Sequence, residues 1–266
     1  MTSQTVQTIR FEDGAVYERS MGIWSRLAGS VFLDWLNPPA HQRWADIGCG
    51  NGAFTELLIR HCAPSAVLGI DPSDQQLAFA RTRSGVEAAT FQQGDAMALP
   101  FDANWFDAAV MALAIFFVPD PAKGLAEMVR VTRPGGLVAA YAWDIPGGGL
   151  PMENIRTELR RIGVSSPLPP SADISRAEAL QELWTQAGLS SVETRPISVQ
   201  RTFEDFEDFW VANLGNAGLA PVLASLDADQ AAGVKDRVRA LLPADAQGRV
   251  TCQARANAVR GWVSQP

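Results

Sequence analysis

Histidine is nearly missing from this chain, with only His41 and His61 among 266 residues. Imidazole is the commonest general base near neutral pH because its ordinary pKa is about 6.5. Any proton transfer performed here has few such groups to draw on. Cysteine is almost as scarce. Cys49, Cys62 and Cys252 are an odd number at wide spacing, with no C-x-x-C pair and no Cys/His cluster, so nothing suggests zinc or another metal. The expectation is buried free thiols in a reducing cytoplasm. Positive charge is also in short supply: 22 Lys and Arg face 29 Asp and Glu, a net charge of −7. Without a basic field, a nucleic-acid partner is disfavoured. No long hydrophobic run exists either. The longest, Ala108 to Val118, falls well short of the ~20 apolar residues that span a bilayer, and Met1 to Arg10 lacks the apolar centre of a signal peptide. Membrane insertion is not expected.

What is present is an alternation of short apolar runs with amphipathic ones. Tyr17 to Leu36 reads as a helix with Ile23, Leu27, Val31 and Leu36 near helical spacing, and Asn37-Pro-Pro39 ends it. Strands are expected at Trp44–Ile47, Ala66–Ile70, Ala89–Gln92, Phe106–Leu113 and Leu137–Trp143. Helices follow at Gly52–Cys62, Ser73–Arg83 (Ser73 and Gln76 forming a reciprocal cap) and Pro121–Val131, and Arg133-Pro-Gly-Gly136 reads as a turn. Such alternation argues for a doubly wound α/β fold with a mostly parallel sheet. Beyond Trp143 the pattern changes. A Pro- and Gly-rich stretch carries a helical piece near Glu153–Ile162, Ser175 with Glu178 opens another helix, Ser191–Gln200 suggests a sixth strand, Thr202 starts further helix, and Val250–Trp262 fits a last strand.

The most telling segment is Trp44-Ala-Asp-Ile-Gly-Cys-Gly-Asn-Gly-Ala-Phe54, where Asp46, Gly48, Gly50 and Gly52 spell D-x-G-x-G-x-G. Glycine lets backbone approach a ligand or turn through positive φ without steric cost. The helix that follows points its free N–H groups into the same loop. The spacing is neither the G-x-G-x-x-G of a dinucleotide site nor a phosphate loop ending in Gly-Lys-Ser/Thr. About 20 residues on, Leu68-Gly-Ile-Asp71 is followed by Pro72. An acid closing the second strand can accept both hydroxyls of a ribose, as in nucleotide-binding folds generally. Asp95, in Gln93-Gly-Asp-Ala-Met-Ala-Leu-Pro-Phe101, closes the third strand in the same way.

These motifs resemble, in order, those of the class I S-adenosylmethionine-dependent methyltransferases. The apolar run Phe106 to Asp120 and the R-x-x-R-P-G-G turn ending at Gly136 match the ubiquinone/menaquinone-biosynthesis type, as does the Tyr17-Glu-Arg-Ser-Met-Gly-Ile-Trp-Ser-Arg26 segment. The likeness covers Tyr17 to Trp143 and implies a Rossmann-like sheet of seven strands, the last antiparallel, with helical caps at 145–190 and 202–248 on a single domain spanning 1–266 and a cofactor core at 17–144. It implies S-adenosylmethionine as cofactor, S-adenosylhomocysteine as product and a small-molecule methyl acceptor. Asp71 and Pro72 then belong to the ribose site, Asp95 accepts from the adenine amino group, and the Ala96 N–H meets the ring. Gly48 and Ala112 backbone groups hold the methionine end, Asp46 acts through a water or by fixing the loop, and Tyr17 closes over it.

One departure stands out. Where many relatives carry histidine after the fourth strand, this chain has Phe116-Phe117. Either proximity suffices for an already reactive nucleophile, or a carboxylate or phenol assists, with Asp144 and Tyr141 the leading candidates, then Glu18 and Glu153. Trp24, Phe116, Phe117, Trp143, Phe206, Phe209 and Trp210 either converge on an apolar acceptor pocket or are ordinary core. Arg156 and Arg160 share a helix face, which suits solvent or an anionic substrate. The rival functions are a catalytically silent cofactor-binding module and a nicotinamide-dependent oxidoreductase. Monomer and homodimer both stay open.

Overall fold

The computed structural model describes residues 21–216 and 218–265. Helix α1 (Ile23–Leu36) stops where Asn37 turns left-handed and returns its N–H to the Leu33 carbonyl, ahead of the two prolines. Then follow β1 (Arg43–Ile47), α2 (Ala53–Cys62), β2 (Ala66–Asp71), α3 (Asp74–Ala80), β3 (Ala89–Gln93), β4 (Phe106–Ala112), α4 (Pro121–Val131) and β5 (Thr132–Trp143). The second half contributes α5 (Glu153–Arg161), α6 (Ala177–Gln186), β6 (Ser190–Phe203), α7 (Phe206–Leu214), α8 (Ala220–Ala224), α9 (Ala228–Leu241) and β7 (Val250–Trp262).

The strands form one seven-stranded sheet in the order β3-β2-β1-β4-β5-β7-β6. The first five run parallel, and β7 is antiparallel to both neighbours. β4 is apolar along nearly its whole length because helices cover it on both faces. The strand order reverses between β1 and β4. In open α/β sheets a ligand binds at such a switch point, beyond the carboxyl ends of the strands.

Three boundaries differ from the sequence reading. Arg133-Pro-Gly-Gly136 is the start of β5, not a turn before it, because the Gly135 N–H donates to the Val263 carbonyl and the Val263 N–H to that of Gly136. At Gly136 a Cβ would lie 2.5 Å from Thr132 and 2.7 Å from the Asp107 carbonyl, so only glycine fits there. Ser175 does not cap α6. It is buried, donating from Oγ to the Ala172 carbonyl and accepting the Ile145 N–H, while Arg176 holds the cap position without a side-chain bond. Thr202 opens no helix: it pairs hydroxyl to hydroxyl with Thr251 across β6 and β7, and Asp205 caps α7 instead.

The insertion after β5 has two roles. Its α6 is a crossover helix on the sheet, with Trp184 fully buried and its indole N–H donating to the Val138 carbonyl. Its α5 is tied to α9 through Glu158, a buried carboxylate held by Arg237 at 3.1 Å. No described helix is long and apolar enough to cross a membrane, and all three cysteines are free and buried.

Candidate functional site

A cavity of about 710 Å³ opens at the carboxyl ends of the parallel strands, within the usual size for a small-molecule site. One side is polar and built from three loops. The β1–α2 loop is fastened to β2 by the Gly48 and Cys49 N–H groups, both donating to the Ile70 carbonyl. Gly48 has φ +76° and a Cβ there would stand 2.4 Å from that of Ala114. Gly48→Ala is therefore expected to cost about 2–4 kcal/mol, combining a left-handed non-glycine residue with overpacking. A urea midpoint matching the parent's would contradict that contact.

Gly50 leaves open space on its Cβ side, and its N–H donates to Asp71 Oδ2 at 2.9 Å. Asp71 Oδ1 accepts the Ser73 N–H at 2.9 Å. A carboxylate offers about four acceptor sites, so two amides leave room for two more donors facing the cavity. Burial pushes the Asp71 carboxyl above its ordinary value, against the pull of those amides. Asp95 sits after β3, exposed on the cavity wall, with Oδ1 held by the Met97 N–H at 2.8 Å. Ala96 is beside it on the same wall.

The opposite side is apolar. Phe54, Leu113 and Phe117 face a strap, Leu168-Pro-Pro170, contributed by the segment after α5. Ser171 moors the strap to the chain beyond β4, its N–H donating to the Phe116 carbonyl and its Oγ to that of Val118. Tyr141 lines this side from β5, its ring 4.7 Å from that of Phe32 and its hydroxyl directed at the Ser25 carbonyl, 3.4 Å away.

Beneath the glycine loop lies Asp46, fully buried. Thr55 Oγ1 donates to its Oδ2 at 2.6 Å, while Oδ1 has no hydrogen-bond partner among the described residues. Desolvation, with a smaller push from Asp71, raises its pKa to about 7 despite the Thr55 bond.

A family model described as a methyltransferase domain matches residues 45–140. Demethylmenaquinone methyltransferase of Renibacterium salmoninarum is 32% identical over 175 residues, covering 63% of this chain and 69% of that protein. The chain belongs to the class I S-adenosylmethionine-dependent methyltransferases of the ubiquinone/menaquinone type. A rice (Oryza sativa subsp. japonica) 2-methyl-6-phytyl-1,4-hydroquinone methyltransferase is 38% identical over 95 residues, 36% of this chain and only 27% of its own length. Among solved structures, the YcgJ protein from Bacillus subtilis aligns with a TM-score of 0.58 at 18% identity, over 90% of this chain and 99% of that one, a likeness of fold.

Do the residues of this methyltransferase fit the cofactor its family carries? The donor set does. Two acids, one with spare acceptor capacity and one open to solvent, flank a loop whose glycine leaves space above it, and an orphaned buried carboxylate oxygen lies below. Gly48, Gly50, Asp71, Pro72, Asp95, Ala96, Ala112 and Tyr141 all line the cavity. Asp46 and Gly52 stand behind it: Gly52, at φ +78°, lets α2 begin against Ala80, whose Cβ would be 3.0 Å from a Cβ on Gly52. Tyr17 and Glu18 lie outside the described residues.

Asp144 does not fit the role of base. Its Oδ2 accepts from Arg255 at 2.6 and 3.0 Å, its Oδ1 from the Gly147 N–H, and it is absent from the cavity wall. It shapes the loop after β5. Glu153 likewise is off the wall, paired with Arg160 at 2.6 Å. Of the seven aromatic residues expected to converge, only Phe117 lines the cavity. Phe206, Phe209 and Trp210 pack with Phe203 as a separate aromatic cluster, the alternative that helical spacing left open. His61 pairs with Asp34 at 3.0 Å in the last turn of α2, away from the glycine loop and off the cavity wall. The strap is the functional element that motif reasoning missed. Its signal was the Pro167-Leu-Pro-Pro170 run, legible as a stiff loop but not as a wall.

Proposed function

We propose that this chain transfers the methyl group of S-adenosylmethionine to a small, largely apolar acceptor of the quinone or phenol type, leaving S-adenosylhomocysteine. The observation that carries this is one cavity with an acid-bearing half built on the glycine loop and an apolar half roofed by Leu168-Pro-Pro170. The rice and Renibacterium relatives, named for a hydroquinone and a demethylmenaquinone, support the acceptor class.

Asp71 holds the ribose with its two remaining acceptor sites, oriented by Gly50 and Ser73. Asp95 accepts from the adenine amino group and Ala96 meets the ring with its N–H. Gly48 and Ala112 frame the methionine end, with the unpaired oxygen of Asp46 below. When bound, S-adenosylmethionine supplies an electrophilic methyl group on its sulfonium. The apolar wall keeps water from that point and presents the acceptor at close range, and positioning of this kind is worth up to ~7–11 kcal/mol.

No histidine or lysine lines the cavity among the described residues. The phenol of Tyr141 borders the apolar wall but is fully buried, with its hydroxyl turned toward the Ser25 carbonyl at 3.4 Å. The acceptor therefore brings its own nucleophilicity. A cytoplasmic location accords with the three free thiols.

The test is a panel of phenols and hydroquinones incubated with the protein and S-adenosylmethionine, read by mass spectrometry. Expected is methylated acceptor in step with S-adenosylhomocysteine. Tight cofactor binding with no turnover on any member would leave the silent-module reading standing.

A further inference from the structure

A second, smaller cavity of about 270 Å³ lies against the first, with Leu168 on the wall of both. Its polar rim is Glu153, Arg156, Arg160 and Asp173. Three of these four charges are already matched. Glu153 Oε1 accepts from Arg160 at 2.6 Å, and Asp173 pairs with Arg176 at 3.3 Å. Arg156 is left over. Its side chain is 9% exposed, and among the described residues its ionic neighbour is Glu153 Oε2, 4.0 Å from Nε. Its guanidinium makes no hydrogen bond to any described residue. Arginine presents five donors and stays charged, and this guanidinium keeps access to the cavity it lines. Burial lowers the Arg156 pKa, with Arg160 adding to the effect and Glu153 opposing it.

We infer that Arg156 forms an anion subsite at the end of the acceptor cavity and receives a carboxylate carried by the methyl acceptor. This rests on the methyl-transfer reading and narrows it: the acceptor is an apolar ring bearing a carboxylate, the ring under Leu168-Pro-Pro170 and the acid beyond Leu168. Of the two rim arginines, Arg160 is engaged by Glu153 at 2.6 Å and Arg156 only loosely at 4.0 Å, so one donor fork is open to a monoanion, whereas a phosphate dianion would leave a charge unmet. The planar fork suits a carboxylate in a bidentate pair.

The experiment is calorimetric titration of the protein, saturated with S-adenosylhomocysteine, with 4-hydroxybenzoate and with its neutral counterpart 4-hydroxybenzyl alcohol. The acid is expected to bind at least roughly ten-fold more tightly, as a charge-assisted bond requires. Arg156→Met, which keeps the apolar stem, should bring the two probes level while the S-adenosylhomocysteine affinity stays at the parent value. Arg156→Gln, which removes the charge and keeps a polar side chain, serves if the methionine variant does not fold, and should likewise lose most of the preference. Equal binding of the two probes by the parent, binding of neither, or a preference that survives both substitutions overturns the subsite. Failure of S-adenosylhomocysteine itself to bind would instead overturn the methyl-transfer reading, and the subsite with it.

Discussion

Asp71→Ala is expected to weaken S-adenosylmethionine binding by about 3 kcal/mol, roughly a hundredfold in Kd. The carboxylate fixes Gly50 at 2.9 Å and Ser73 at 2.9 Å, so its removal loosens the glycine loop as well as deleting the acceptors for a ribose. Asp71→Asn should fare little better. An amide placed between two backbone donors must turn its own NH2 toward one of them, and it has one acceptor oxygen where two are needed. Calorimetric titration decides it, with Asp144→Ala as the control that leaves the wall intact. A Kd within threefold of the parent for Asp71→Ala would sink the placement of the ribose.

The second large effect is on stability and depends on pH. Asp46 titrates near 7 in the native protein against an ordinary 3.8. Below 3.8 both native and unfolded chains hold the proton, and the group is neutral in its effect. As pH rises from there, the unfolded chain sheds its proton while the native one keeps it, so stability falls until about pH 7, where the native carboxyl also ionises and the loss stops growing. At about 1.36 kcal/mol per pH unit the total is about 4 kcal/mol. Asp46→Asn removes this titration. Its stability minus that of the parent should therefore climb by about that amount between pH 4 and pH 8. Oppositely shifted groups such as Asp107 and Glu127, both lowered, are common to the two proteins and cancel. Urea unfolding at several pH values gives the difference, and a flat line would mean that Asp46 is ionised throughout.

Much of this fold was readable from local pattern. Parallel strands covered on both faces appear as unbroken apolar runs, so β1, β2 and β4 announce themselves, and β7 from Val250 to Trp262 falls where alternation places it. The glycines, Asp71 and Asp95 were legible because a loop at a strand end is a matter of neighbouring residues. What was not legible depends on contacts between distant segments. Nothing near Asp144 foretells that Arg255, 111 residues away, will occupy its carboxylate. A helix with Phe206, Phe209 and Trp210 on one side has the same spacing whether that side meets ligand or core. Arg156 reads as a solvated charge until α5 folds back over the loop after β5.

The strap has a consequence for how such a protein responds to substitution. The segment matched by the family model, residues 45–140, ends before it. The glycine loop, Asp71, Asp95 and Ala112, proposed to hold the methyl donor, lie inside that stretch, while the strap proposed to roof the acceptor lies outside it and is moored to it by the hydrogen bonds of Ser171. A change in the strap is therefore expected to alter the acceptor half of the cavity and spare the donor half.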